Sequence, residues 1–120
     1  MIFDWREYLE LAKMIKDLSS QAFSKEASQR SAVSRAYYSA YGFATRYAES
    51  LGYKREKHSE DHKRLQEFFK KEKELFSVYE DLRKLRNYRN LCDYEDTVEN
   101  IDEIVEHSIK LAEKIIQTLS

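Results

Sequence analysis

A chain of 120 residues and 14.4 kDa, with 36% charged residues, no proline and two glycines, excludes a β-rich fold, whose turns require those missing residues. A single cysteine, Cys92, excludes an internal disulfide and fits a reducing compartment. The net charge of −1 provides no global field for nucleic acid, and the longest run without Asp, Glu, Lys or Arg, Ala36 to Thr45, is too short to span a membrane. The opening Ile2-Phe3-Asp4 lacks the basic-then-apolar layout of a signal peptide. The expectation is one soluble, cytoplasmic, all-α domain without disulfide, metal or cofactor: an antiparallel bundle of four to five helices.

In chain order, Asp4 with Glu7 reads as a capping box opening a first helix. Tyr8, Leu11, Ile15 and Leu18 form its apolar face, and it should end near Ser19. The longest helix is expected from about Lys25 to Leu51, with Gly52 as its stop. Val33, Ala36, Tyr37, Ala40, Ala44, Tyr47, Ala48 and Leu51 share its broad face. Tyr38, Tyr41, Gly42 and Thr45 form a second, narrower face. Gly42 costs about 1 kcal/mol against alanine in a helix interior, which close approach by another helix of this chain or of a partner would explain. Ser59 is the expected N-cap of a third helix carrying Leu65, Phe68 and Phe69. A fourth, from about Glu74 to Cys92, places Leu75, Val78, Tyr79, Leu82 and Leu85 in register, and a box of Asp96 and Glu99 opens the last.

The informative inconsistency lies on the fourth helix. Its stripe of Val78, Leu82 and Leu85 continues at Arg89 and Cys92, so a guanidinium sits on an apolar face with Arg86 and Asp93 on its flanks. An inward charge must be paired, or must face a cleft or subunit boundary. Two readings stand side by side: an internal Arg89–Asp93 ion pair, or a phosphate-binding pocket, since Arg suits bidentate phosphate contact. His58 and His62 are four apart, a spacing that permits a shared metal. No cysteine completes a set nearby, so they read as loop residues in solvent, His107 reads as surface, and Cys92 as a small buried hydrophobe. The Lys54–Lys73 stretch is basic, whereas Asp93 to Glu106 holds seven acidic residues and no Lys or Arg.

Three stretches carry a family resemblance. Arg30-Ser-Ala-Val-Ser-Arg-Ala-Tyr-Tyr-Ser-Ala-Tyr41 resembles the second-helix signature of small prokaryotic HEPN-domain proteins. Lys57-His58-Ser59 resembles the K-x-H-S-G loop of one branch, and Arg89-Asn90-Leu91-Cys92-Asp93-Tyr94 its R-x-x-A-D-Y. The resemblance implies a helical bundle, usually dimeric through its long helices. In active ribonuclease members an Arg, followed after four to six residues by a His, lines a dimer-interface cleft that cuts RNA without metal. Many members are toxins encoded beside a minimal nucleotidyltransferase. Carried over, Arg89 matches the family arginine and Asn90 the polar residue after it. The chain departs where the histidine is expected, since Tyr94 stands there, and tyrosine is a poor general base at neutral pH. Glu60 stands where the loop's glycine would be.

Three functions follow as expectations. In the first, a homodimeric module binds RNA or a nucleotide through Arg86, Arg89, Asn90 and Asp93, in a toxin–antitoxin or defence pair with a nucleotidyltransferase. In the second, a metal-independent ribonuclease uses Arg89 with Tyr94 or His58. In the third, the chain is an interaction module with a structural Arg89–Asp93 pair. Tyr38, Tyr41, Gly42 and Thr45 are the candidate dimer face.

Overall fold

A computed structural model describes residues 2–120. Among them are five α-helices and no strand: α1 (Arg6–Ile15), α2 (Lys25–Ser50), α3 (Asp61–Lys71), α4 (Phe76–Tyr94) and α5 (Ile101–Leu119), with a 3₁₀ turn, Lys73–Leu75, leading into α4. Among the described residues no helix is long and apolar enough to cross a membrane.

Helix α2 is the central element, packed against α1, α4 and α5, while α3 lies mainly on α4. The reason is legible in its side chains. Ala32, Ala36, Ala40, Ala44 and Ala48 are all fully buried, a row of small residues every four positions that lets neighbouring helices approach closely. Val33 and Tyr37 fill the adjoining space, and Val78, Leu82, Leu85, Val105, Ala112 and Ile115 close the core from α4 and α5. The ends of α2 are set locally. Ser24 accepts a hydrogen bond from the Ala27 N–H. At the other end Gly52 takes φ +100°, and the Gly52 and Tyr53 amides bond back to Glu49 and Ala48, a Schellman closure that favours glycine.

Several local expectations are corrected. Helix α1 ends at Ile15 rather than near Ser19, and its buried residues are Leu9 and Ala12, leaving Leu11 and Leu18 exposed. The aromatic cluster of Phe3, Trp5 and Tyr8 fixes this rotation, together with Ser39, whose hydroxyl donates to the Trp5 carbonyl. Asp4 does serve the helix start, accepting from the Arg6 N–H and guanidinium. Leu51 is exposed at the α2 end. Ser59 is not the cap of α3; the buried Asp61 carboxylate instead gathers the amides of Glu56, Lys57 and His58 and the Arg64 guanidinium. Nor do Asp96 and Glu99 cap α5, which follows Asn100 in a left-handed conformation, φ 59°. The turn before α5 is held from outside: Arg30 on α2 donates to the carbonyls of Cys92, Glu95 and Asp96.

Candidate functional site

Arg89 does look inward. One turn beyond the buried Leu85, its side chain is 14% exposed. Nη1 donates to the Asn90 side-chain oxygen at 3.0 Å, and Nη2 donates to the hydroxyls of Tyr38 at 2.8 Å and Tyr94 at 3.4 Å. The Asp93 carboxylate lies 2.8 Å from Nε. Its oxygen is off the N–H direction, so the buried Nε remains without a hydrogen bond and the contact is one of charge. The Tyr38 ring is flanked by two guanidiniums, Arg89 at 5.2 Å and Arg35 at 5.5 Å, a cation–π arrangement. Burial opposes the Arg89 charge, but Tyr38, Asp93 and Tyr94 outweigh it and raise its pKa further.

Arg86 sits one turn earlier on the same side, half-buried, with its Nε likewise buried and unpartnered. Facing the two arginines is a residue that sequence reasoning placed in solvent. His62 lies in the first turn of α3, half-buried, its ring stacked on Tyr41 at 4.3 Å and edge-on to Tyr38 at 6.1 Å. Its Nδ1 is 2.5 Å from the hydroxyl of the buried Tyr37. Burial, then the fields of Arg86 and Arg89, lower the His62 pKa to about 4, and burial pushes Tyr41 up to about 12. The signal was available in the sequence: His62, Leu65, Gln66 and Phe69 share one helical face, and the last three are buried.

The other expected site residues divide. Asn90, Asp93 and Tyr94 are gathered on Arg89, with Tyr94 69% exposed. His58 is not brought to Arg89. It stays exposed in the loop before α3, its Nε2 2.7 Å from the Glu56 carboxylate and its Nδ1 accepting from the Glu60 N–H. It does share a shallow depression of about 360 Å³ with His62, Tyr41, Arg55 and Lys57. On the candidate dimer face, Gly42 is covered by this chain's own Trp5, whose ring a Cβ would overlap, and Thr45 is buried, donating to the Tyr41 carbonyl. Tyr38 and Tyr41 remain partly open, along a groove of about 800 Å³ that also runs past Ile2, Phe3 and Arg46.

Cys92 is buried, and burial pushes its thiol up to about 11, so it is no nucleophile. His107 is exposed and meets the Tyr88 hydroxyl. Among the described residues no cluster of three metal-ligating side chains occurs. The site can therefore present fixed positive charge and hydrogen-bond donors to an anion, with an imidazole at their edge.

The chain matches the family model of the HEPN domain over residues 6–120. None of the curated proteins and none of the solved structures compared with it matches. A match over nearly the whole length, on an all-helical bundle of the kind the resemblance implied, means that the chain belongs to the HEPN domain family.

Proposed function

We propose that Arg89, with Arg86 beside it, binds phosphate groups of RNA or of a nucleotide. The observation that carries this reading is the set of partners around Arg89. Two phenol hydroxyls and one amide oxygen, all neutral side-chain groups, occupy its Nη atoms, and its one carboxylate is poorly aligned. A phosphate displaces such partners readily. Tyr94, the longest and most exposed contact, is the first to yield. Tyr38 and Tyr94 each accept from Arg89, so their own O–H groups are free to donate outward, and with Arg86 the cleft offers an anion several donors.

In this reading the chain works as a homodimer, supported by the groove past Tyr38 and Tyr41 and by the exposed Ile2 and Phe3 at its rim. It works within a toxin–antitoxin or defence pair with a minimal nucleotidyltransferase, supported by the resemblance of Arg89–Tyr94 to that branch of the family. The test is binding of a short single-stranded RNA and of a nucleoside monophosphate, in EDTA, by the wild type and Arg89→Gln. A loss of at least tenfold in affinity on substitution, about 1.4 kcal/mol, supports the reading. Cleavage of the RNA that disappears with Arg89→Gln makes the cleft a ribonuclease. Equal affinity in both proteins leaves Arg89 a structural residue.

A further inference from the structure

The imidazole beside Arg86 and Arg89 has an arrangement that packing alone does not require. Among the described residues the Tyr37 hydroxyl has His62 Nδ1 as its only polar partner, and burial keeps that phenol protonated far above its ordinary range. The phenol is therefore the donor, Nδ1 the acceptor, and the neutral ring carries its proton on Nε2. Nε2 has no hydrogen-bond partner among the described residues, and the ring lines an open depression. Stacking on Tyr41 and the bond to Tyr37 fix the ring plane, so the free N–H is held in one direction, in a depression that Arg55 and Lys57 also line.

We propose that His62, edge-on to the tyrosine that holds Arg89, is a second anchor for a nucleic-acid backbone bound at Arg89: its Nε2–H contacts a phosphate oxygen in the depression beside Arg55 and Lys57, and the ring takes up a proton as the anion binds. The inference rests on the phosphate reading of the cleft and adds to it a residue on a different helix. The proton comes from solvent and enters at Nδ1, while the Tyr37 hydroxyl turns from donor to acceptor, so no bond to phosphorus changes.

The electrostatics follow from what faces the ring. From α2 it meets three neutral phenols, Tyr37, Tyr38 and Tyr41. From α4 it feels the two positive charges of Arg86 and Arg89, and from the preceding loop Arg55, Lys57 and His58 border the same depression. Asp61, in the same depression, is committed to three backbone amides and Arg64, and Glu56 to His58. Without an anion the surroundings disfavour imidazolium; a phosphate between the arginines cancels much of that field and supplies a counter-charge. Binding and protonation are then linked, and affinity rises as pH falls.

The experiment uses an RNA oligonucleotide lacking terminal phosphates, whose diester groups keep a constant charge across the range, so any pH effect belongs to the protein. Its affinity for the wild type is expected to rise roughly tenfold between about pH 7.5 and 5. His62→Gln retains an N–H donor near the Nε2 position but cannot titrate. It is expected to lose the rise between the two pH values. In the wild type, NMR titration of the imidazoles should show His62 protonating at higher pH when the oligonucleotide is present, a readout that requires no variant to fold. A rise that persists in His62→Gln and vanishes in His58→Gln overturns the assignment in favour of the loop histidine. Binding that needs Arg89, is flat with pH and leaves the His62 titration unmoved overturns this inference alone. No binding by the wild type overturns the phosphate reading with it.

Discussion

Two half-buried arginines at the contact of α2 with α4 have opposite surroundings. Arg30 directs its Nη atoms to three backbone carbonyls at the end of α4, and the Glu26 carboxylate completes the set at 2.9 Å. The Cys92 carbonyl belongs to the last turn of α4, one of the orphan acceptors that a helix end leaves, and the other two to the turn that follows it; all are backbone groups that the chain cannot withdraw. Arg89, one turn before that end, is met instead by side chains alone: two hydroxyls, an amide, and the Asp93 carboxylate 2.8 Å from Nε but off its N–H direction. The first arrangement holds an elbow together; the second keeps a charge in place with neutral side-chain acceptors on its Nη atoms. Burial and charge alone do not separate a structural arginine from a binding one, whereas the kind of acceptor it meets does.

The largest expected effect of breaking this contrast is on stability at the elbow. Arg30→Ala removes a charged donor from three carbonyls, one part-buried and two exposed, and should cost about 2 kcal/mol in urea unfolding, with RNA affinity per folded molecule unchanged. Gly42→Ala, also on α2 but away from both arginines, drives a methyl into the Trp5 ring. It should cost about 1–2 kcal/mol despite the better helix propensity, with a shift in the fluorescence of Trp5, the only tryptophan.

Acid separates the two regions further. His62 has a folded-state pKa near 4, below the ordinary 6.5, so the unfolded chain takes the proton first. Its contribution is present above about pH 6.5 and is lost as pH falls toward 4. His62→Gln should flatten that part of the stability profile, whereas Arg30→Ala should lower the curve without changing this slope. The smallest effect is expected from Tyr94→Phe, which removes one long, exposed contact: no measurable change in melting temperature, and at most a two- to threefold change in RNA affinity.

The elements that the sequence made legible are those set by local chemistry. The span of α2, its Gly52 stop, and the inward position of Arg89 all follow from spacing and capping within a few residues. What was not legible depends on distant partners. The tempting Asp96–Glu99 box fails because Arg30, more than sixty positions earlier, already fixes the turn it would have opened. The face of α1 is chosen by its docking on Ser39 and Gly42. His62 was hidden by its nearer relation to His58, since a four-residue pair of histidines suggests a shared ligand before it suggests two different environments. The face shared with Leu65 and Phe69 was the better guide.

The central claim is that Arg89 is held for an anion rather than for the fold. The most direct measurement is the paired determination, on wild type and Arg89→Gln, of RNA affinity at two salt concentrations and of unfolding free energy. The account predicts at least a tenfold loss of affinity, a shallower salt dependence in the variant, and a stability change within about 1 kcal/mol. Unchanged affinity and salt slope, with stability falling by about 3 kcal/mol or more as expected when one partner of a buried pair is removed, would contradict it.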